Sequence, residues 1–288
     1  MKEELEGMRR ELESLRQEIQ KIKGRLEEKS DPIPDKLKIR GFNYLAGNPR
    51  ENLLLPQNCE AEIEEQFYQL MRKYSFRIFL RDVLKYSPFI QIDKLTRYCS
   101  RETAEKYLEI LCKCRLLEEI APSCYRLKNP LVSDLGDTLE WFVARVLDKE
   151  FHIPASWGVR LRNSKVGGDY DVIASVEGLL MYMEVKSSPP KHVEMNEIAA
   201  FLDRIENLKP DFSIFLEDTE LRMKDKIVKL FETALETRFG PEARKKYRVR
   251  RVVEELFQID HRIFITNSRP DLVSNIGLCL KHYFQNRP

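Results

Sequence analysis

A chain of 288 residues that is 42% hydrophobic and 33% charged has the composition of a globular protein and is long enough for two domains. Its apolar runs fall well short of the roughly 20 residues that span a bilayer, and its charged N-terminus lacks the apolar core of a signal peptide. We therefore expect a cytoplasmic protein with no membrane association. Because 49 basic residues oppose 47 acidic ones, the net charge is only +2, so any nucleic-acid surface must be a local patch.

Residues 1–30 carry an unbroken apolar repeat with spacings of three and four, which predicts a coiled coil. The repeat consists of Leu5, Met8, Leu12, Leu15, Ile19, Ile22 and Leu26. Self-association, most simply as a parallel homodimer, buries this seam, and the alternative is that the helix folds back on its own chain. Pro32 and Pro34 cannot continue the helix, so we interpret residues 31–59 as a linker.

Residues 60–129 show the pattern of a small helical domain that ends in a hairpin. Helices are expected to begin near Glu60, Phe76, Asp93 and Ser100, and the hairpin covers residues 116–128. This order resembles a winged helix-turn-helix domain, which implies that the helix at Ser100 enters a DNA major groove. Its outward face carries three acids and two bases, which disfavours phosphate binding, so a packing or dimerising role remains the alternative.

The six cysteines are too few and too scattered for a disulfide scaffold, and we expect them to be reduced. Zinc binding is the alternative for the four between Cys99 and Cys124. Cys112 and Cys114, however, would point roughly 200° apart on a helix, whereas zinc knuckles place two or more residues between their cysteines. Free thiols are therefore favoured.

Residues 130–288 alternate helical and extended segments, as expected of an α/β domain. Strands are predicted at residues 157–163, 169–176, 179–187, 211–217 and 261–268, and helices at 134–149, 193–207, 220–238 and from about 270 onward. Glu177 and Gly178 form a tight turn, so the second and third of these strands should be neighbours.

Charged residues lie within the second and third strands of this domain. Pairing of the strands would bring Asp171 close to Glu184, and alternation places Lys186 on the same face as Glu184. Two adjacent carboxylates repel each other unless a proton or a cation lies between them, and oxygen ligands favour Mg²⁺ or Mn²⁺. Asp169 is either a further ligand or a residue of the rim.

The arrangement of Asp171 thirteen positions before Glu184, with Lys186 two further on, resembles the PD-(D/E)XK nuclease superfamily. The resemblance covers residues 130–288 and implies a restriction-endonuclease-like α/β fold, with a mixed sheet flanked by helices. It implies that Asp171, Glu184 and Val185 hold Mg²⁺ or Mn²⁺ and that Lys186 orients or deprotonates the attacking water. Many members also have a glutamate on the first helix, for which Glu140 is the candidate, and an ordinary boundary glutamate is the alternative.

A basic run near the C-terminus offers a candidate nucleic-acid surface. It contains Arg244, Lys245, Lys246, Arg248, Arg250 and Arg251. A run of this kind is also compatible with a simple solvated segment. The sequence thus predicts a metal-dependent nuclease that hydrolyses phosphodiester bonds, with DNA the favoured substrate and a water activated by the metal as nucleophile. The alternative is a non-catalytic nucleic-acid-binding or scaffold protein that retains the nuclease-like fold.

Overall fold

The computed structural model of the protein describes residues 32–287, together with positions 11, 13, 15, 16 and 18. The predicted coiled coil and its dimer lie outside these residues except for a few positions. Among them is Leu15 of the apolar seam, which is helical and 51% exposed. Within the described part, no helix combines the length and the apolar character needed to cross a membrane.

The segment predicted to be a linker contributes two elements to the fold. Helix α1 (Pro32–Ile39) begins at the prolines that were expected only to end the preceding helix, because proline is well tolerated in a first helical turn. Strand β1 (Asn43–Ala46) pairs antiparallel with strand β5 (Ala155–Arg162). The interpretation of residues 31–59 as a linker therefore missed a helix and the edge strand of a sheet.

The middle region has the predicted order of helices and hairpin, except that a 3₁₀ turn (Ile92–Lys94) stands in place of the helix expected at Asp93. It comprises α2 (Ala61–Met71), α3 (Tyr74–Lys85), β2 (Ile90–Gln91), α4 (Arg101–Lys113), β3 (Leu117–Ala121) and β4 (Cys124–Leu127). Ser100 caps α4, since its side chain accepts a hydrogen bond from the N–H of Thr103 at 3.2 Å. The strands form a small sheet in the order β2-β4-β3. All six cysteines are free thiols, as expected.

The C-terminal region is a mixed α/β arrangement with helices on both faces of one sheet. It comprises α5 (Gly136–Phe151), β5, β6 (Tyr170–Val176), β7 (Leu179–Lys186), α6 (Met195–Leu208), β8 (Phe212–Glu217), α7 (Lys229–Phe239), α8 (Ala243–Lys246), β9 (Arg250–Val253), β10 (Leu256–Ile259), β11 (Ile263–Asn267) and α9 (Leu272–Asn286). The eight strands follow the order β1-β5-β6-β7-β8-β11-β10-β9. The β9–β10 hairpin was not predicted from the sequence. The helix expected at 220–238 begins only after a π-helical segment, Lys224–Val228.

Strand directions determine which residues meet at the edge of the sheet. Strands β6 and β7 are antiparallel neighbours, joined by a turn in which Glu177 and Gly178 have φ of +46° and +83°. This pairing was predicted. Strands β7, β8 and β11 run parallel to one another, so their carboxyl ends lie along one edge.

The apolar core covers both faces of the sheet and extends into the middle region. On one face, Phe201 of α6 packs against Phe215 of β8 with ring centroids 5.4 Å apart. On the other, Trp141 of α5 lies 5.8 Å from Phe67 of α2. Because one cluster of buried side chains runs from the middle region into the sheet, the two regions share a core.

Candidate active site at the edge of the sheet

Asp171 lies where β6 begins and next to the end of β7. The regular pairing of the two strands ends at Val172 and Met183. Beyond this point a side chain of β6, that of Asp171, accepts a main-chain hydrogen bond from β7. Its Oδ2 accepts a hydrogen bond from the N–H of Val185 at 2.8 Å. The structure thus places Asp171 against the segment from Glu184 to Lys186, as predicted from the turn between the strands.

Glu184 is buried, with 1% of its surface exposed. Lys186 Nζ lies 2.7 Å from its Oε1, and Arg204 Nη1 lies 2.9 Å from its Oε2. The hydroxyl of Tyr182 donates to Oε2 as well. Two cations and a hydroxyl therefore satisfy this buried charge, as a buried ionised carboxylate requires.

Asp171 and Glu140 are less well compensated. Burial raises the pKa of Asp171 to about 7, with a further increase from Glu184 that Lys186 only partly offsets. Burial also raises the pKa of Glu140 on α5 to about 9, and Asp171 is the strongest of the nearby charges that contribute. Two buried carboxyl groups with raised pKa values, the charge of one acting on the other, have the electrostatics of a site that favours a proton or a cation.

Lys186 is charged in this environment. Burial alone lowers its pKa, but the attraction of Glu184 and Asp171 outweighs that effect and holds the pKa above its usual value. Glu197 on α6 lies 3.7 Å from Lys186 Nζ. With 21% of its side chain exposed, Lys186 is accessible from outside the protein.

Glu217 is a residue of this edge that the sequence analysis missed. It ends β8, pairs with Lys186 in the parallel register, and is fully buried. Among the described residues, neither of its carboxylate oxygens has a hydrogen-bond partner, and burial raises its pKa to about 9. The available signal was an acid that ends an apolar strand, which is the same pattern that identified Glu184.

Arg204 is the second residue that the sequence analysis missed. Its Nη2 approaches to 2.8 Å of the position that a Cβ would occupy on Gly168, where the backbone also has a φ of +89°. Only glycine fits at this position without strain. The Gly167–Gly168 loop therefore leaves room for the guanidinium that holds Glu184. The one sequence signal was an arginine three residues after Phe201, on the flank of the buried face of α6.

The donor set matches the requirements of Mg²⁺ or Mn²⁺ only in part. Within residues 32–287, no three Asp, Glu, His or Cys side chains come together in a way that would hold a metal ion. Mg²⁺, however, commonly uses one or two carboxylates and completes its shell with water and substrate phosphates. Asp171 and Glu140 supply two carboxyl groups of this kind, and Val185 can offer a main-chain oxygen.

Asp169 and the basic run lie apart from this cluster. Asp169 accepts a hydrogen bond from Arg160 Nε at 3.0 Å, and with 41% of its side chain exposed it is a residue of the rim. In the basic run, Lys245 pairs with Glu242 at 3.1 Å. Lys246 lies over the ring of Tyr247.

The remaining members of the run have different surroundings. Arg248 and Arg250 are exposed, and Arg251 lies 3.7 Å from Glu255. The side chain of Arg244 is outside the described part. The run therefore extends from α8 to the edge strand β9.

The exposed face of α4 neutralises its own charges. Lys106 pairs with Glu102 at 2.7 Å, and Lys113 pairs with Glu109 at 2.6 Å. Arg101 lies 2.6 Å from Asp93 and 3.1 Å from Glu105. These cations are already paired, which disfavours phosphate binding by this helix.

Fold and site together define a mixed α/β protein with a cluster of carboxylates and a lysine at the edge of its sheet. No family model and no curated protein matches the chain. Among solved structures, it is similar to protein VC1899 from Vibrio cholerae, with a TM-score of 0.46 and 18% identity over 70% of this chain and 55% of that one. It is also similar to Can2 from Sulfobacillus thermosulfidooxidans, solved with cyclic tetra-adenylate, with a TM-score of 0.45 and 14% identity over 87% of this chain and 60% of that one. The chain thus spans less than two thirds of either structure.

Proposed function

We propose that this protein is a metal-dependent nuclease that hydrolyses phosphodiester bonds, with DNA as the favoured substrate. The observation that carries the proposal is the pair of poorly compensated carboxyl groups, Asp171 and Glu140, beside the charged and partly accessible Lys186. Two such carboxyl groups favour a divalent cation, and a lysine next to them suits a reaction in which negative charge develops on phosphate.

Asp171, Glu140 and the main-chain oxygen of Val185 are the groups that would hold Mg²⁺ or Mn²⁺. Glu184 would join them by giving up part of its pairing with Lys186 and Arg204, which now occupy both of its oxygens. A divalent cation at such a site supplies polarisation of a phosphoryl oxygen and acidification of water.

Lys186 would act on the attacking water and on the phosphate. Its ammonium group is kept protonated by Glu184, so it would donate hydrogen bonds and stabilise negative charge on the phosphoryl group as the transition state forms. Arg204 would hold the neighbouring carboxylate in place, because its guanidinium spans both oxygens of Glu184.

A non-catalytic binding protein is the second candidate, and the pairing of Glu184 favours it. A carboxylate that already binds Lys186, Arg204 and the hydroxyl of Tyr182 is satisfied without a metal. In that case the cluster would stabilise the end of β7, and any nucleic-acid binding would proceed without cleavage.

Incubation of the purified full chain with linear, circular and branched DNA and with RNA, in Mg²⁺, Mn²⁺ or EDTA, separates the two candidates. We expect cleavage in either metal and none in EDTA. Replacement Lys186→Ala should lower the rate by at least about 100-fold, the size of effect expected when one hydrogen-bond donor to the developing negative charge is removed. Cleavage that persists in Lys186→Ala, or no cleavage of any substrate by the wild type, would exclude the proposed mechanism.

A further inference from the structure

A charged cavity of about 650 Å³ lies along the same edge of the sheet as the candidate active site. Its walls are the loop after β8 with the start of the π-helical segment, strand β9 with the turn before β10, and Arg269, two residues after β11. Because β7, β8 and β11 are parallel, the loops after them emerge on the side where β7 presents Lys186. Ligands of open α/β sheets commonly bind outside the carboxyl ends of the strands.

Three exposed cations in this cavity have no carboxylate partner in the described part of the chain. They are Arg222 from the loop after β8, Lys224 at the start of the π-helical segment, and Arg269 after β11. Arg251, a member of the basic run that lines this cavity, lies 3.7 Å from Glu255 and over the ring of Phe257. Unpaired cations facing a cavity attract a ligand with several negative charges.

The cavity also contains three acids, of which one is buried and two are exposed. Glu255 is nearly buried, and its Oε2 accepts the N–H of Met223 at 2.8 Å, so it serves to fix the loop. Asp225 and Glu254 are exposed and would repel an anionic ligand. The cavity therefore has a small positive excess whose strength depends on the unpaired cations.

The loops that carry the cations are held in place by buried contacts. Met223 is fully buried, between Arg222 and Lys224. Asn267 Nδ2 donates to the carbonyl of Leu221 at 2.8 Å, and Asn275 Nδ2 donates to the carbonyl of Arg269 at 2.8 Å. Cations on a fixed frame lose less conformational entropy when they bind a ligand than cations on a mobile loop do.

We propose that this cavity binds the phosphates of a single nucleic acid strand that passes along the edge of the sheet to Lys186, an inference that rests on the proposed function. A strand repeats its phosphates, so it can engage Arg222, Lys224 and Arg269 while another phosphate lies at the candidate active site. This assigns strand binding to the cavity and not to the whole basic run from Arg244 to Arg251.

The test measures binding of a fluorescein-labelled single DNA strand by anisotropy, with the full chain in EDTA so that no cleavage occurs. For Lys224→Ala/Arg269→Ala we expect about tenfold weaker binding at low salt. The slope of log affinity against log salt should fall by about 1.4, because each lost contact with a single strand removes about 0.7. The matched control is Lys229→Ala/Lys281→Ala, which removes the same charge from exposed lysines that do not line the cavity.

The control pair should change the affinity by less than about twofold, and Asp225→Asn should tighten binding by removing a repulsive charge. Equal loss of affinity in Lys224→Ala/Arg269→Ala and in the control pair, or no binding by the wild type, would overturn the inference. So would full displacement of the strand by a mononucleotide at equal phosphate concentration, because the cavity would then be a site for small phosphate ligands.

Failure of this inference can be distinguished from failure of the proposed function. A protein that cleaves DNA in Mg²⁺ but binds the strand equally well without Lys224 and Arg269 keeps the function and loses the inference. A protein that binds through the cavity and cleaves nothing keeps the binding site and loses the function.

Discussion

At the scale of single residues, Glu217 links stability to pH. Its fully buried carboxyl has a pKa of about 9, and the nearby charged groups are Glu197, Arg81, Asp218 and Lys186. The folded protein keeps a proton that the unfolded chain releases near pH 4. The resulting contribution to stability is complete below about pH 4 and is lost as the pH rises toward 9.

We expect Glu217→Gln, which keeps the shape and removes the titration, to flatten the fall in melting temperature between about pH 6 and pH 9. Glu140 and Asp171 also have raised pKa values, so part of the slope should remain. Differential scanning calorimetry across this range measures the effect, with the exposed Glu232→Gln as the control. Parallel profiles for Glu217→Gln and the wild type would contradict the account.

The sequence identified the residues of the site that follow from strand alternation and missed those that depend on packing. Asp171, Glu184 and Lys186 meet because a tight turn joins their strands, and this can be read from the chain. Arg204 reaches Glu184 only because α6 packs across the sheet and Gly168 leaves space. The spacing of apolar residues predicts which face of α6 is buried, but it does not predict which residue of the sheet Arg204 contacts.

At the scale of elements, helix α3 is tied to the edge of the sheet by a buried ion pair. Arg77 is 1% exposed, and its Nη2 lies 2.8 Å from Oδ1 of the fully buried Asp218. Burial raises the pKa of Asp218, but Arg77 and Arg81 outweigh it and hold the pKa below its usual value. The N–H of Asp218 donates to the carbonyl of Lys186 at 2.8 Å, so the middle region braces the candidate active site.

We expect Arg77→Ala to lower the free energy of unfolding by about 3–5 kcal/mol, because it leaves a carboxylate buried without its main partner. The double change Arg77→Leu/Asp218→Leu should recover a large part of this loss, since it removes both charges. Urea denaturation of Arg77→Ala, of the double variant and of the singles Arg77→Leu and Asp218→Leu completes the cycle. A loss below about 1 kcal/mol for Arg77→Ala would mean that this ion pair does not hold the elements together.

Elements with a strong local signal were predicted, and elements that depend on a distant partner were not. The β6–β7 hairpin follows from Gly178 between two apolar strands. The β9–β10 hairpin has no glycine, and Glu254 adopts a φ of +41° at its turn. The sequence therefore carries no turn signal there, and the basic residues before it do not show a strand pattern. Strand β1 is short and mostly exposed, and it exists because β5 offers it an edge.

At the scale of the whole molecule, the apolar repeat in residues 1–30 predicts a dimer. We expect the full chain to sediment as a dimer at micromolar concentration. The change Leu12→Asp/Ile19→Asp should convert it to a monomer, because association would bury two unpaired carboxylates in the seam of the coiled coil, which is costly. The melting of residues 32–287 should stay unchanged, which serves as the control. A wild-type monomer, or a variant that remains dimeric, would show that this seam does not join two chains.

Metal uptake measured by calorimetry tests the central claim most directly, namely that Asp171 and Glu140 form a cation site beside Lys186. At pH 7 the account predicts binding of Mn²⁺ or Mg²⁺ with release of protons, because burial keeps Glu140 protonated until a cation replaces the proton. The heat should therefore depend on the ionisation enthalpy of the buffer, and Asp171→Asn should abolish the uptake. No heat above dilution in the wild type, or equal uptake by Asp171→Asn, would contradict the claim.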